Sequence, residues 1–306
     1  MSEESWRTTR RAVLGGLAAL PFAGRLAAAD SAPLTRAIPA DGARLPLIGM
    51  GTWITFNVGD DAGLRAQRSQ VLQAFFEAGG GLIDSSPMYG SSEAVIGHAL
   101  EQTGQPASLF SATKVWTWTQ AGGVEEIEAS RRLWGVERFD LLQVHNLLSW
   151  ESHLETLRRM KAEGRLRYIG ITTSHGRRHD DFEAVMRQED IDFVQFTYNV
   201  LDREAEARLL PLAAERGLAV IINRPFRRGA LFDRFAGHPL PDWAAEIDCA
   251  NWAQFFLKFV VSHPAVTCAI PATSRVDHMA ENMGVLYGRL PDADLRRRMI
   301  ATIEAL

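Results

Sequence analysis

Eight short apolar, β-branched runs recur along the chain, each followed by a polar loop and then by a segment with helical spacing. They cover residues 45–53, 81–86, 109–115, 139–146, 168–173, 193–199, 219–226 and 266–273. Near-continuous apolar strands are buried on both faces, which means a parallel sheet covered by helices. Between the runs, Val71, Leu72, Phe75 and Phe76 form one stripe of an amphipathic helix, and Gly79 lies just past it, where a helix stop belongs. The segments "SHLETLRRMKAEGRL" and "REAEARLLPLAAERGL" repeat the pattern. Eight strands alternating with helices predict an α/β fold, a (β/α)8 TIM barrel. A doubly wound open sheet binding a dinucleotide would carry G-x-G-x-x-G after its first strand. The nearest candidate, "GMGTWI", lacks the third glycine, so the barrel is the better reading. Asp41-Gly42 in "LTRAIPADGARLP" is a hairpin turn signal, which places an N-terminal β-hairpin against the barrel floor. The connection 227–250, rich in Gly, Pro and Arg, reads as a loop over a binding site.

The N-terminal segment has a different character. Arg10 and Arg11 precede a small-residue apolar run, Ala12 to Gly24, which ends near Ala27-Ala28-Ala29. This is the layout of a secretory signal with a twin-arginine (Tat) start. The run is 13 residues long and contains Pro21. A bilayer span needs about 20, so a cleaved leader is expected over residues 1–29 rather than a stable membrane anchor. The rest, 30–306, is then a single domain, exported through the Tat machinery to the periplasm. Loss of four arginines and two glutamates takes the net charge from -4 to -6. Nothing in that balance points to nucleic acid. Two cysteines, Cys249 and Cys268, are too few for a disulfide framework.

Catalytic groups of a barrel stand at the C-terminal ends of its strands. Those ends carry Asp84, with Tyr89 in the loop beyond it, then Lys114, then His145. The spacings are 30 and 31 residues, one βα unit each. The three residues therefore share one mouth. A buried Asp84 needs a counter-charge, which Lys114 supplies. A cation near Tyr89 favours its phenolate and is expected to lower its pKa from about 10, making it a proton donor near neutral pH. A neutral His145 orients a substrate oxygen, and with Tyr89 stabilises negative charge growing there. A carbonyl oxygen gains such charge when hydride reaches its carbon.

With these residues in place, the sequence closely resembles the aldo-keto reductases. The motifs are "GLIDSSPMYGSSEAVIGHAL", "SATKV", "LQVH" and "IPATSRVDHMAENMG", in order and at family spacing, over about 34 to 290. The resemblance implies a barrel that binds NADP(H), or else NAD(H), without a Rossmann domain, and reduces the carbonyl of an aldehyde or ketone. It implies a tetrad of Asp84, Tyr89, Lys114 and His145, with Tyr89 the general acid. Thr52 and Trp53 match a stretch contacting the nicotinamide half. Thr172-Thr173 stand where the family usually has Ser-Asn, and Gln195 fits its carboxamide-binding glutamine. Asn223-Arg224-Pro225 replace a Tyr-Ser-Pro sequence, so the tyrosine that stacks on nicotinamide is absent unless Phe226 or another ring substitutes. Ala272 and His278 occupy positions often held by lysine and arginine for the 2′-phosphate. Thr273, Ser274 and Arg275 remain for that role, and Glu281 and Asn282 match adenine contacts.

Arg224, Arg227 and Arg228 are suited to a pyrophosphate by charge-assisted hydrogen bonds. Trp53, Trp116 and Trp118 suggest an aromatic substrate pocket for an apolar aldehyde or ketone. His175 and His179, four residues apart, lack a third ligand, and no metal is expected. Two other readings remain. One is a dinucleotide-binding regulatory or redox-sensing barrel with little turnover, favoured by the lost stacking tyrosine and by export. The other, a hydrolase using Asp84 and His145, leaves Tyr89 and Lys114 without a task.

Overall fold

The computed structural model describes residues 32–306; the expected leader, 1–29, lies outside the described residues. Two strands, β1 (Thr35–Ala37) and β2 (Arg44–Pro46), pair antiparallel through the turn at Asp41-Gly42. Eight parallel strands follow: β3 (Met50–Gly51), β4 (Leu82–Asp84), β5 (Phe110–Val115), β6 (Phe139–Val144), β7 (Leu166–Thr172), β8 (Phe193–Thr197), β9 (Ala219–Asn223) and β10 (Cys268–Ala269). Each neighbours the next in sequence, and bridges Ile48↔Ala269 and Gly51↔Ala272 bring β3 back to β10. The sheet is thus closed as a (β/α)8 barrel, and each of the eight apolar runs overlaps one of its strands.

Helices α1 (Ala62–Glu77), α2 (Ser92–Thr103), α3 (Gln120–Trp134), α4 (Trp150–Ala162), α5 (His179–Gln188) and α6 (Leu209–Arg216) follow β3 to β8 in turn. The 227–250 connection is more structured than its composition suggested. It holds the short helix α7 (Ala230–Phe235) and a 3-10 turn, Asp242–Ile247. Leu231, Phe235, Ala244 and Ile247 in it are fully buried, which anchors it to the core. Helices α8 (Trp252–Val261), α9 (Val276–Met283) and α10 (Ala293–Ala305) complete the chain.

Strand side chains alternate, so one set faces the barrel interior and the other faces the helices. Ile83, Leu142, Val144, Ile171, Val194, Phe196, Val220 and Ile222 pack outward in the main core. The alternate set, Leu82, Phe110, Leu141, Tyr168, Phe193 and Ile221, fills the lower interior together with Ile38 and Leu45 of the hairpin. Asp41 clamps the hairpin to the barrel floor, accepting hydrogen bonds from Tyr168 Oη (2.6 Å) and Arg167 Nη2 (2.8 Å). Gly49 and Gly51 let β3 approach both neighbours. A Cβ at either would lie 2.8 Å from a carbonyl oxygen, of Leu82 and Ile270 respectively.

Candidate active site

Two residues further along five of the interior columns, the filling changes from apolar to polar. Above Leu82 stands Asp84; above Ala112, Lys114; above Leu141, Gln143; above Phe193, Gln195; above Ile221, Asn223. These positions are staggered rather than level. Asp84 pairs with Ala112 and Lys114 with Gln143, so Lys114 and then His145 each sit two residues higher than the partner on the preceding strand. That climb is the strand tilt a closed barrel requires.

Lys114 and Asp84 are buried and joined, with Nζ 2.5 Å from Oδ2. The ammonium also donates to the carbonyl of Ser85 at 2.7 Å. The other Asp84 oxygen, Oδ1, accepts from Gln143 Nε2 at 3.0 Å and Gln195 Nε2 at 2.9 Å. Such saturation is what makes a buried carboxylate tolerable. Burial lowers the Lys114 pKa, but Asp84 and the neighbouring Tyr89 outweigh it, so the ammonium is held charged above its ordinary value.

Tyr89 ends a single 3-10 turn, Pro87–Tyr89, started by Ser86 Oγ accepting from Met88 N at 3.2 Å and continued into α2 through Gly90. Its ring lies 5.2 Å from Lys114 Nζ and meets the His145 ring edge-on at 5.7 Å between centroids. Burial raises the Tyr89 pKa more than Lys114 lowers it. The expected net lowering is therefore corrected: desolvation of the phenolate exceeds the attraction of the cation, and Tyr89 stays a protonated phenol. His145 Nδ1 bonds Ser86 Oγ at 2.8 Å. Burial, then repulsion from Lys114, holds its pKa well below the ordinary 6.5, so the imidazole is neutral.

These groups open into a cavity of about 350 Å³. Its wall includes Thr52, Trp53, Asp84, Tyr89, His145, Thr172, Thr173, Gln195, Asn223, Arg224 and Pro225, all named from the sequence. Several are already engaged. Thr52 Oγ1 donates to Asp84 O at 2.9 Å, Thr173 Oγ1 to Arg177 O at 2.7 Å, and Asn223 Nδ2 to Thr173 O at 2.9 Å. Gln195 Nε2 braces Asp84, while among the described residues its Oε1 accepts only from Asn223 Nδ2 at 3.4 Å. Phe226 lines the cavity, as Asn223 does, and packs on Phe232 with ring centroids 4.8 Å apart.

The remaining candidates stand elsewhere. Trp116 is 41% exposed, with its ring 6.3 Å from that of His145, at the rim; Trp118 is 79% exposed and outside the cavity wall. Thr273, Arg275, His278, Glu281 and Asn282 are outside the cavity wall, which ends at Ala272; they lie just before and within α9, with Thr273 and Asn282 buried. Arg275 there is tied to Asp277, with Nε 3.0 Å from Oδ1, and is not a free cation. Sequence reasoning missed Gln143 and Ser86. The signal for both was present: each shares an interior column or a loop with a residue already named. It also missed Met88 and Asn146, which line the wall, and weighed His175, another wall residue, only as a metal ligand.

Arg227 pairs with Asp202 at 3.0 Å. Among the described residues, Arg177, Arg224 and Arg228 have no carboxylate at salt-bridge distance. Burial lowers the Arg224 pKa, and repulsion from Arg228 and Arg177 adds to it. Arg228 lies 4.4 Å over the Trp53 ring, and both line the cavity. A wall carrying Arg224 and Arg228 without direct carboxylate partners, beside a neutral acid and a neutral imidazole, suits a ligand with phosphates at one end and a reducible or reducing group at the other.

Comparison with known proteins agrees with this chemistry. The sequence profile of the aldo/keto reductase family matches residues 47–301. Methylglyoxal reductase YeaE of Escherichia coli is 28% identical, covering 82% of this chain and 89% of that one. The NADH-specific methylglyoxal reductase of the same organism is 25% identical, covering 85% and 96%. A Klebsiella pneumoniae aldo/keto reductase solved with NADP and acetate superposes with a TM-score of 0.73 at 25% identity, covering 85% of this chain and 92% of that one.

Proposed function

Because the chain belongs to the aldo/keto reductase family, we propose that Tyr89 is the acid of its NAD(P)H-dependent carbonyl reduction and that Asp84, Lys114 and His145 tune and aim it. The bound nicotinamide supplies hydride to the carbonyl carbon of an aldehyde or ketone. The chain's own residues handle the oxygen. His145, neutral and fixed through Nδ1 by Ser86, presents Nε2 to the cavity as an orienting hydrogen-bond partner. Tyr89 Oη gives its proton to the oxygen as charge develops there, and the Lys114 ammonium stabilises the phenolate left behind. Asp84 holds that ammonium in place. The observation that carries the reading is this buried ion pair beneath two neutral proton-handling rings.

NADP(H) is the preferred cofactor, and NAD(H) is a possible one. Arg224 and Arg228 would hold its phosphates, and the segment from Thr273 to Asn282 its adenosine half. The fit rests on two guanidinium groups at the wall that have no carboxylate at salt-bridge distance among the described residues. A sensing barrel without turnover has no comparable support, since the acid, the orienting imidazole and the ion pair are assembled together. Loss of nicotinamide absorbance on mixing the protein, NADPH and a panel of aldehydes and ketones tests the reading. Tight NADPH binding with no oxidation across the panel refutes it.

For the N-terminal segment, we propose a twin-arginine leader and a periplasmic enzyme, supported by Arg10-Arg11, the short apolar run and Ala27-Ala28-Ala29. Among the described residues, no helix is long and apolar enough to cross a membrane. Lysine at both Arg10 and Arg11 should keep the protein in the cytoplasm; unchanged export would refute the proposal.

A further inference from the structure

Asp84, Ser85 and Ser86 run from β4 into the turn that carries Tyr89, and all three are buried. Asp84 holds the Lys114 ammonium, and the Ser85 carbonyl accepts from the same group. Ser86 has a different partner. Its Oγ lies 2.8 Å from His145 Nδ1 and 3.2 Å from Met88 N. Met88 N is the first amide of the Pro87–Tyr89 turn with a hydrogen to give, since proline has none. One oxygen therefore touches both the turn that ends at the acid and the imidazole 59 residues away.

The hydrogens around this oxygen can be counted. A backbone amide only donates, so Ser86 Oγ accepts from Met88 N. The hydroxyl hydrogen remains, and among the described residues its one acceptor is His145 Nδ1. In the opposite arrangement Nδ1–H donates to Oγ, which then has two donors and strands its own hydrogen. Ser86 is 0% exposed and outside the cavity wall, where a stranded donor is costly. Nδ1 is therefore the bare nitrogen. The imidazole is neutral, because burial and Lys114 hold its pKa well below 6.5, so its single proton sits on Nε2. Nε2 has no partner among the described residues, and His145 lines the cavity beside Tyr89. Two rings thus offer a hydrogen to the same space. The other tautomer would turn a lone pair toward an incoming oxygen and repel it.

We propose that Ser86 is a positioning residue for carbonyl reduction: its hydroxyl selects the Nε2–H tautomer of His145 and so makes the imidazole a second hydrogen-bond donor to the substrate oxygen. The inference rests on the carbonyl-reductase reading, whose orienting histidine it supplies with a proton at a stated atom. Ser86 does not touch the substrate. It acts through the His145 ring, and its hold on Met88 N commits the hydroxyl to that one direction.

The test reads the proton directly. The full chain, labelled with nitrogen-15 in its histidines, gives the ring-nitrogen shifts by NMR at neutral pH, and the His145→Gln protein identifies which signals belong to His145. A protonated Nε2 and a bare Nδ1 are expected in the wild type and in Ser86→Thr, which keeps the hydroxyl. In Ser86→Ala the His145 signals should move to an average of the two tautomers. Kinetics with NADPH and an aldehyde form the second arm. Ser86→Ala should lower kcat about tenfold with the NADPH dissociation constant unchanged, and Ser86→Thr should recover most of the loss. The Ser86→Ala loss should vanish in a His145→Gln background, because the serine acts through that ring. A wild-type proton on Nδ1, an Ser86→Ala protein that keeps the wild-type tautomer or kcat, or an equal loss in the His145→Gln background overturns the inference. Should Ser86→Ala not fold, the wild-type and Ser86→Thr spectra still decide. The two readings fail separately. Nε2–H in a protein that reduces no carbonyl sinks the reductase and keeps the tautomer. Turnover with the proton on Nδ1 does the reverse.

Discussion

The lower and upper halves of the barrel interior are built from the same strands by opposite means. Below, Leu82, Phe110, Leu141, Tyr168, Phe193 and Ile221 interlock as a dry plug over the hairpin. Above, Asp84, Lys114, Gln143, Gln195 and Asn223 form one hydrogen-bonded network beneath a cavity. The connections differ in the same way. Turns at the floor that need a positive φ use glycine, as at Gly135 and Gly217, which close α3 and α6. At the mouth, Ile54, Asn146, Leu147, His175, Arg224 and Arg228 adopt positive φ with full side chains. Such backbone costs of order 1–3 kcal/mol per residue and persists where side-chain placement matters more than comfort. Stability is thus concentrated at one end and chemistry at the other.

Lys114→Met strikes both properties, because it leaves Asp84 charged and unpaired in the interior. Removing one partner of a buried pair costs about 3–5 kcal/mol. A lowered urea midpoint together with lost carbonyl reduction is expected, and an active, equally stable variant would break the link between the two. Phe193→Ala, at the floor, opens a hole against Phe110 and Tyr168. It should cost about 3–5 kcal/mol in chemical denaturation and yet leave kcat/KM of the folded fraction close to wild type. A large loss of kcat at unchanged stability would show that the plug and the mouth are not separable.

The histidines sharpen the contrast through pH. Burial holds His145 well below 6.5 and His263 down at about 4. The unfolded chain therefore binds more protons than the native one below pH 6.5. Stability from both groups is complete above that pH and declines as pH falls toward 4. Melting temperatures between pH 7.5 and 4.5 should follow that slope, and His145→Gln should reduce it. Reduction rates should meanwhile show no break at the pH where a free imidazole titrates. The smallest effect belongs to Asp41, whose pKa is lowered to about 2 by the Tyr168 hydrogen bond and by Arg167. A group this exposed is screened, so Asp41→Asn should cost only about 0.5–1 kcal/mol. Its contribution is present above about pH 4 and is lost as pH falls toward 2; a variant with an unchanged acid limb would remove the clamp from the account.

Much of this arrangement was legible in sequence. Apolar runs gave the strands, because buried parallel strands need apolar residues on both faces, and a period near 30 residues placed Asp84, Lys114 and His145 at one mouth. Stagger was not legible, since register depends on barrel closure rather than on spacing. The sign of the Tyr89 shift was missed because a neighbouring charge is visible in a sequence but the depth of burial is not. Trp118 looked like a pocket residue by proximity to Lys114, while its 79% exposure follows from where the loop after β5 leaves the barrel. Gln195 was legible as a wall residue by type, but the second task of its amide nitrogen, bracing Asp84, was not.

Everything in the mechanism depends on the Tyr89 hydroxyl being the proton donor above the Lys114–Asp84 pair. The direct measurement is single-turnover oxidation of bound NADPH by the Tyr89→Phe protein, alongside its NADPH dissociation constant and melting temperature. Rate loss of about 10²- to 10⁴-fold with cofactor affinity and stability preserved is the predicted result. A phenylalanine protein that reduces aldehydes at the wild-type rate would contradict it.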